Sequence, residues 1–395
     1  MEREPFVIPG LLSADRSAAE LGIEMLAGGH EVVTDEAGMV TWFLSEHDTE
    51  ALLTDPRFGA TAMAVLHLSG VAEGPLHDLW SNLMFGKDGE EHKRLRGAVA
   101  KHFTPSALAW LAPAADEIAH DLAAALPDDE IVDLWPAYSL PLSARIACRV
   151  VGIEDDDAAM VAPWALALVK AFSVLQPADR DEAEAAAVAF GAHLDGVIAR
   201  KRDQPGDDVT SWLLEEASDV LSDDELRAMV GNLVFGGLEA TTKGLLTAVF
   251  HLLGHGLWPE LTDPANVSRA VTETLRFHPP ATGVFRLAIE EVDCGGTVLQ
   301  PGQLAVPNLV AACRDPKRYD DADALQLDRK PGRPYPFGAG PHFCLGFNQA
   351  KITLAAGLGN LAARAPHLRL AVDAAAVPFS RDPFDGVTSL PVRLR

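Results

Sequence analysis

A single long helix dictates the architecture of this chain. Ser222-Asp223-Asp224-Glu225 has the spacing of a capping box, in which a serine and a glutamate three residues apart satisfy each other's backbone N–H groups. The helical pattern behind it reaches to about His255, a rod of roughly 50 Å at 1.5 Å per residue. Such a helix crosses a whole domain. Two glycines, Gly236 and Gly237, sit in its middle, where each costs about 1 kcal/mol relative to alanine. They make sense where a bulky group must lie against the backbone.

Further helices are expected from Glu90 onward: Pro105 to Leu126, Ala137 to Val151, Ala158 to Phe172, Arg180 to Arg202 and Pro264 to Phe277. Val32-Val33 and Met39 to Leu44 read as a hairpin, followed by a short helix from Thr49 to Leu53. Gly59 to Asp78 reads as an apolar loop. Thr297 to Val306, Leu368 to Val372 and Leu390 to Leu394 read as short strands. The fold class is mainly α with a small β region. No linker divides it, so residues 1–395 are expected to form one domain.

With 32 basic and 57 acidic residues the net charge is −25. That argues against a nucleic-acid partner, which wants a basic face, and disfavours docking on anionic membranes. The four cysteines are scattered and form no CxxC, so a reducing, cytoplasmic setting is expected. The first ten residues are polar, with no apolar run of membrane-spanning length, so no membrane attachment is expected.

The second informative stretch is Phe337-Gly338-Ala339-Gly340-Pro341-His342-Phe343-Cys344-Leu345-Gly346. It holds one cysteine in a glycine-punctuated loop ahead of a helical pattern. Gly338 and Gly340 can take positive φ and turn the loop's amides inward. Backbone N–H groups and a helix N-terminus both favour a thiolate. A thiolate ligand to a haem iron and a buried structural cysteine are equally good readings of these residues alone. The glycines do not give GxGxxG, so a dinucleotide loop is set aside.

The pattern Phe-x-x-Gly-x-His-x-Cys-x-Gly, with Ala350 following, resembles the haem-binding loop of the cytochrome P-450 family. Three other motifs fall in that family's order. Glu273-Thr274-Leu275-Arg276 resembles its ExxR motif, with Arg329 as the expected third member of a buried charge network. By itself this pair reads as an exposed intrahelical one, worth about 0.3–0.5 kcal/mol. Leu325-Gln326 departs from the usual Phe-Asp before that arginine. His92 and Arg96, four apart on one helical face, match its haem-propionate donors. Gly236-Gly237-Leu238-Glu239-Ala240-Thr241-Thr242 resembles its oxygen-activation segment.

The resemblance implies a soluble, bacterial-type P-450 fold, with haem b between the long central helix and the helix after the cysteine loop. Cys344 would bind the iron. His92, Arg96, Arg286 and His342 would meet the propionates, and Phe337, Gly338 and Gly346 would shape the loop against the ring. Glu239 would be the acid of a proton relay. Ala240 stands where the family normally has a threonine whose hydroxyl assists oxygen activation, and Thr241 carries the nearest hydroxyl, about 100° round the helix. Substrate assistance, a local bulge, or chemistry needing less proton delivery would each account for the change.

The implied reaction inserts one atom of dioxygen into a small, largely lipophilic substrate. Electrons would come from a ferredoxin and its NAD(P)H-dependent reductase, met at a basic patch drawn from Lys93, Arg94, Lys101, Arg333 and Lys351. Substrate would touch Val65, Leu66, Leu83, Val234, Gly237, Ala240, Val284 and Val387. A monomer is expected. The alternatives are a non-hydroxylating or peroxide-using relative and a haem-based sensor. His251 and His255 lie four apart but lack the glutamate of HExxH, so they are not read as a zinc site.

Overall fold

Short strands near the N-terminus, two of them buried at every position, set up the first of two compact units. The computed structural model describes residues 3–9, 11, 18–330, 332, 335–380 and 384–395. Contacts divide the chain into one unit within Met1–Thr61, Thr272–Cys344 and Phe384–Gly386, and a second within Ala62–Val271, Leu345–Pro383 and Val387–Arg395.

The first unit is built on a six-stranded sheet. Its spatial order is Phe6–Val7, Val32–Thr34, Val40–Phe43, Leu304–Pro307, Arg286–Ala288, Phe58–Ala60. The expected hairpin is present: Val32 pairs with Phe43 and Val33 with Trp42, antiparallel. Val40–Phe43 then runs parallel to Leu304–Pro307. Successive side chains point to opposite faces. Val32, Phe43 and Ala305 therefore join a core with Leu52, Phe58 and Leu299. Val33, Trp42 and Val306 join another with Leu21 and Ala311. Leu52 comes from the helix Glu46–Thr54, which starts three residues before the expected Thr49. Ser45 caps it by accepting the Asp48 N–H at 3.1 Å.

The second unit is helical, with a small three-stranded antiparallel sheet of Val132–Asp133, Pro391–Arg393 and Arg369–Leu370. Its centre is the helix Asp223–Gly254, 32 residues long. Both halves of the capping box form: the Glu225 N–H donates to Ser222 Oγ at 3.2 Å, and the Ser222 N–H donates to Glu225 Oε2 at 2.9 Å. The helix is long and apolar enough to cross a membrane, yet 78% of its most apolar window is buried, as in the core helix of a folded protein. It packs on Leu140–Val150 and Phe347–Arg364. At Gly357 the fit is so close that a Cβ would lie 2.8 Å from Leu245 and 3.0 Å from Leu142. Ser139 Oγ and Tyr138 Oη tie the preceding turn to the Thr242 and Gly357 carbonyls, each at 2.8 Å.

Several expectations need correction. Gly59 to Asp78 is not a loop: it contains the strand Phe58–Ala60 and the helices Ala62–Leu68 and Pro75–Ser81. Gly70 and Gly74, at φ of 76° and 102°, break the helical pattern between the two helices and hide its period. The helix sought in Pro105 to Leu126 spans Leu111–Ala124, after a run of turns. Helices Ala18–Ala27 and Val209–Glu216 were not anticipated. The second carries a readable signal, since Asp208 accepts the Ser211 N–H at 2.9 Å as an N-cap. Arg333, offered for the basic patch, lies outside the described residues.

Candidate active site

Cys344 is the exposed cysteine of this protein; Cys148, Cys294 and Cys313 are buried. Burial pushes those three thiols up from 9.0 to about 12, so they sit as inert, protonated core residues. The loop that carries Cys344 is folded by its glycines. Gly338 and Gly340 take φ of 73° and 69°, a region open to glycine at little cost. The Cys344 N–H donates to Phe337 O at 2.9 Å, and the Gly338 N–H to Tyr335 O at 2.8 Å. A Cβ on Gly340 would collide with the Leu53 carbonyl, whereas one on Gly338 would meet nothing within 4 Å. Gly338 therefore leaves open backbone on the loop. The helix Phe347–Arg364 begins three residues after the sulfur, with Gly346 as its N-cap.

The charge network expected behind such a loop is present in the first unit. Arg276 grips Glu273 with two hydrogen bonds, Nε to Oε2 at 2.9 Å and Nη2 to Oε1 at 2.8 Å. Its remaining N–H groups donate to the Cys313, Ala322 and Ala324 carbonyls, each at 2.9 Å. Arg329 is the third member, its Nε donating to Glu273 Oε1 at 2.9 Å. The departure at Leu325-Gln326 costs the network nothing, because position 326 contributes its backbone: the Gln326 N–H donates to Glu273 Oε1 at 3.0 Å. Arg286 also belongs to this unit, buried in its strand, and His342 stands half-buried in the cysteine loop.

In the second unit His92 and Arg96 share the helix Gly89–Ala100, with His92 buried and Arg96 half-buried. The central helix holds Gly236 to Thr242, the stretch read above as an oxygen-activation segment. Around its midpoint Leu233, Val234, Phe235, Leu238, Glu239 and Thr241 to Val249 are all buried. Surface appears at Gly236, Gly237 and Ala240. The missing side chains thus open a notch at backbone level in an otherwise enclosed helix. A Cβ on Gly237 would come within 3.4 Å of Gln349 Nε2, so the helix after the cysteine loop approaches the notch. The Thr242 hydroxyl is spent on the Leu238 carbonyl at 2.8 Å, four residues back.

Glu239 is not a lone acid. Lys243 Nζ lies 2.6 Å from its Oε1, and the lysine side chain is only 2% exposed. Sequence reading missed this partner, although an acid followed by a base four residues on is the ordinary helical pair. Sequence reading also missed a ring cluster beside Val234. Phe235 stacks on Trp80 at 5.6 Å and lies 6.2 Å from Phe172, which meets Phe85 edge-on at 5.1 Å.

Among the candidate substrate contacts of this unit, Leu66, Leu83, Val234 and Val387 are fully packed, while Val65, Gly237 and Ala240 keep surface. The Val387 N–H is anchored to Thr247 Oγ1 of the central helix at 3.1 Å. Val284, in the first unit, is half-buried.

A family model described as "Cytochrome P450" matches residues 266–363. Cytochrome P450 107B1 of Saccharopolyspora erythraea is 34% identical over 348 residues, covering 85% of this chain and 84% of the relative. The chain belongs to the cytochrome P450 family. Vitamin D(3) 25-hydroxylase of Pseudonocardia autotrophica is 32% identical, covering 84% of this chain and 82% of its own length. Among solved structures, CalO2 is similar with a TM-score of 0.88 at 27% identity, covering 95% of both chains. The tirandamycin C-bound P450 monooxygenase TamI is similar with a TM-score of 0.82 at 29% identity, covering 99% of this chain and 100% of that one.

This P450 is therefore an oxygen-incorporating oxidoreductase with a haem-thiolate cofactor. In this fold the long central helix, here Asp223–Gly254, and the cysteine-loop helix, here Phe347–Arg364, would hold the haem between them. The residues present fit that group: Cys344 offers an exposed thiol in an open-backbone loop, and the central helix carries a notch.

Proposed function

We propose that this chain, acting as one catalytic domain over residues 1–395, is a cytoplasmic haem b monooxygenase for a small, largely lipophilic organic molecule. The observation that carries the reading is the notch at Gly236, Gly237 and Ala240 in a central helix that is otherwise enclosed there. When bound, the haem supplies reductive activation of dioxygen. The chain's own residues do the rest. Cys344 holds the iron; His92, Arg96, Arg286 and His342 neutralise the propionates by charge-assisted hydrogen bonds. Glu273, Arg276 and Arg329 brace the first unit, which carries the cysteine loop. Phe337, Gly338 and Gly346 keep the loop low against a flat ring. Glu239 and Thr241 face the task of proton delivery without a hydroxyl at Ala240.

For substrate, Val65, Gly237, Ala240, Val284, Phe85 and Phe172 are the contacts we favour, because each keeps surface. Leu66, Leu83, Val234 and Val387 stand behind them as packing. A vitamin D(3) hydroxylase and a tirandamycin C-bound monooxygenase among the relatives support a small organic molecule as the substrate class. Electrons arrive from a ferredoxin with its NAD(P)H-dependent reductase, and the enzyme works as a monomer. Of the cations proposed to receive that partner, Lys93, Arg94 and Lys101 are already paired with Glu90, Glu225 and Glu216. Lys351 rests its ammonium 5.2 Å over the Phe347 ring.

Ala240 favours one second reading, a P450 that couples, dehydrogenates or uses peroxide and so needs less proton delivery. Turnover separates the two. A library of lipophilic compounds is screened for a ligand-induced spin-state change, and hits are incubated with ferredoxin, reductase and NADPH under ¹⁸O₂. One labelled oxygen in the product supports insertion. Unlabelled coupled or desaturated product, or turnover with peroxide alone, supports the second reading.

A further inference from the structure

The Glu239–Lys243 pair has no place in the assignments above. Lysine stems ordinarily carry their charge out to water. Here the stem is fully buried and its ammonium ends 2.6 Å from a carboxylate that is itself only 11% exposed. Keeping such a charge inside is costly unless the partner is held in good geometry. Residues follow one another by 100° round a helix, so Lys243 falls about 40° from Glu239 and about 60° from Ala240, between the two in azimuth. Gly236, seven residues back, lies within about 20° of the same line. The buried pair therefore borders the stretch of the central helix where backbone is accessible.

We propose that Lys243 is a positioning residue for Glu239. A glutamate side chain has three rotatable bonds, and a carboxylate that must serve a water or substrate group at the notch gains from being pinned. A hydroxyl at position 240 would give such a group a second fixed point; this chain has none there, so more of the orientation falls to the fixed carboxylate. The proposal rests on the monooxygenase reading.

The test compares the wild-type holoenzyme with Lys243→Met, Lys243→Arg, Glu239→Gln and the Glu239→Gln/Lys243→Met double variant. Infrared spectra at neutral pH are read first, without turnover or a redox partner. A buried carboxylate that loses its counter-charge takes up a proton. Lys243→Met should show the carbonyl band of a protonated acid; wild type should lack it, and the double variant should lose it. Peroxide released per NADPH, with a ligand from the spin-state screen, is read second. It should rise by about tenfold or more in Lys243→Met and equally in Glu239→Gln, with the double variant no worse. Lys243→Arg should stay within about twofold of wild type. If Lys243→Met does not accumulate, Lys243→Gln is read in the same two ways. No acid band with unchanged peroxide release would overturn the proposal, as would additive effects in the double variant. Failure of the haem-thiolate reading itself would show instead in the carbon monoxide spectrum.

Discussion

Arg329 reaches back 56 residues in sequence to donate from Nε to Oε1 of Glu273 at 2.9 Å, completing a charge cluster that Arg276 has already closed on the other side. Glu273 is thereby enclosed, at 4% exposure, between two guanidinium groups. Removing it leaves two clustered cations facing each other. Glu273→Ala should destabilise the fold by about 3–5 kcal/mol, or prevent folded protein from accumulating. Denaturant unfolding checks this. Leu325→Ala, which leaves the Gln326 N–H in place, should cost the cluster nothing beyond its packing.

The two glycines of the cysteine loop should respond differently to the same change. In the haem-free protein Gly338→Ala pays only for its left-handed backbone, about 1–2 kcal/mol. Gly340→Ala pays that and must also displace the Leu53 carbonyl, so it should lose at least about 1 kcal/mol more. Unfolding midpoints of the two variants, measured side by side, decide it.

Stability should fall at alkaline pH through the buried thiols. Cys148, Cys294 and Cys313 have their thiols raised from 9.0 to about 12 by burial. Between those values the unfolded chain has released these protons and the native chain has not. The stabilisation is complete below the unfolded value and is lost as pH rises toward the native one. Each thiol accounts for at most about 1.4 kcal/mol per pH unit in that window. Denaturant midpoints across the window should decline, and Cys313→Ala should decline less steeply.

The partner-docking proposal predicts a salt-sensitive loss of electron transfer. Lys101→Glu combined with Lys351→Glu should slow the first electron by about tenfold at low ionic strength, with the difference shrinking at high salt. Stopped-flow reduction by an acidic ferredoxin measures it. An unchanged rate would rule out this face as the docking surface.

What could be read from residues alone was local. The Ser222–Glu225 capping box needs only four residues, and it fixed the start of the central helix. The Val32 and Val40 strands were legible as two short apolar runs joined by the turn Asp35-Glu36-Ala37-Gly38. Helices Ala62–Leu68 and Pro75–Ser81 were missed because each is seven residues long, too short for a 3.6-residue period to stand out. Arg329 could be matched to Glu273 only through resemblance, since nothing local links residues 56 apart. Lys243 was legible four residues after Glu239, yet an apolar helix gives no hint that both charges turn inward. The burial of Leu66, Leu83, Val234 and Val387 was beyond the sequence, because an apolar residue that packs and one that meets a ligand have the same chemistry.

The central claim is that the Cys344 thiolate holds the haem iron. The most direct test is the absorption spectrum of the freshly purified, dithionite-reduced protein under carbon monoxide. The account predicts the red-shifted Soret band of thiolate ligation, lost in Cys344→His with haem still bound. An imidazole-type band in the fresh wild-type protein, or a thiolate-type band that survives Cys344→His, would contradict it.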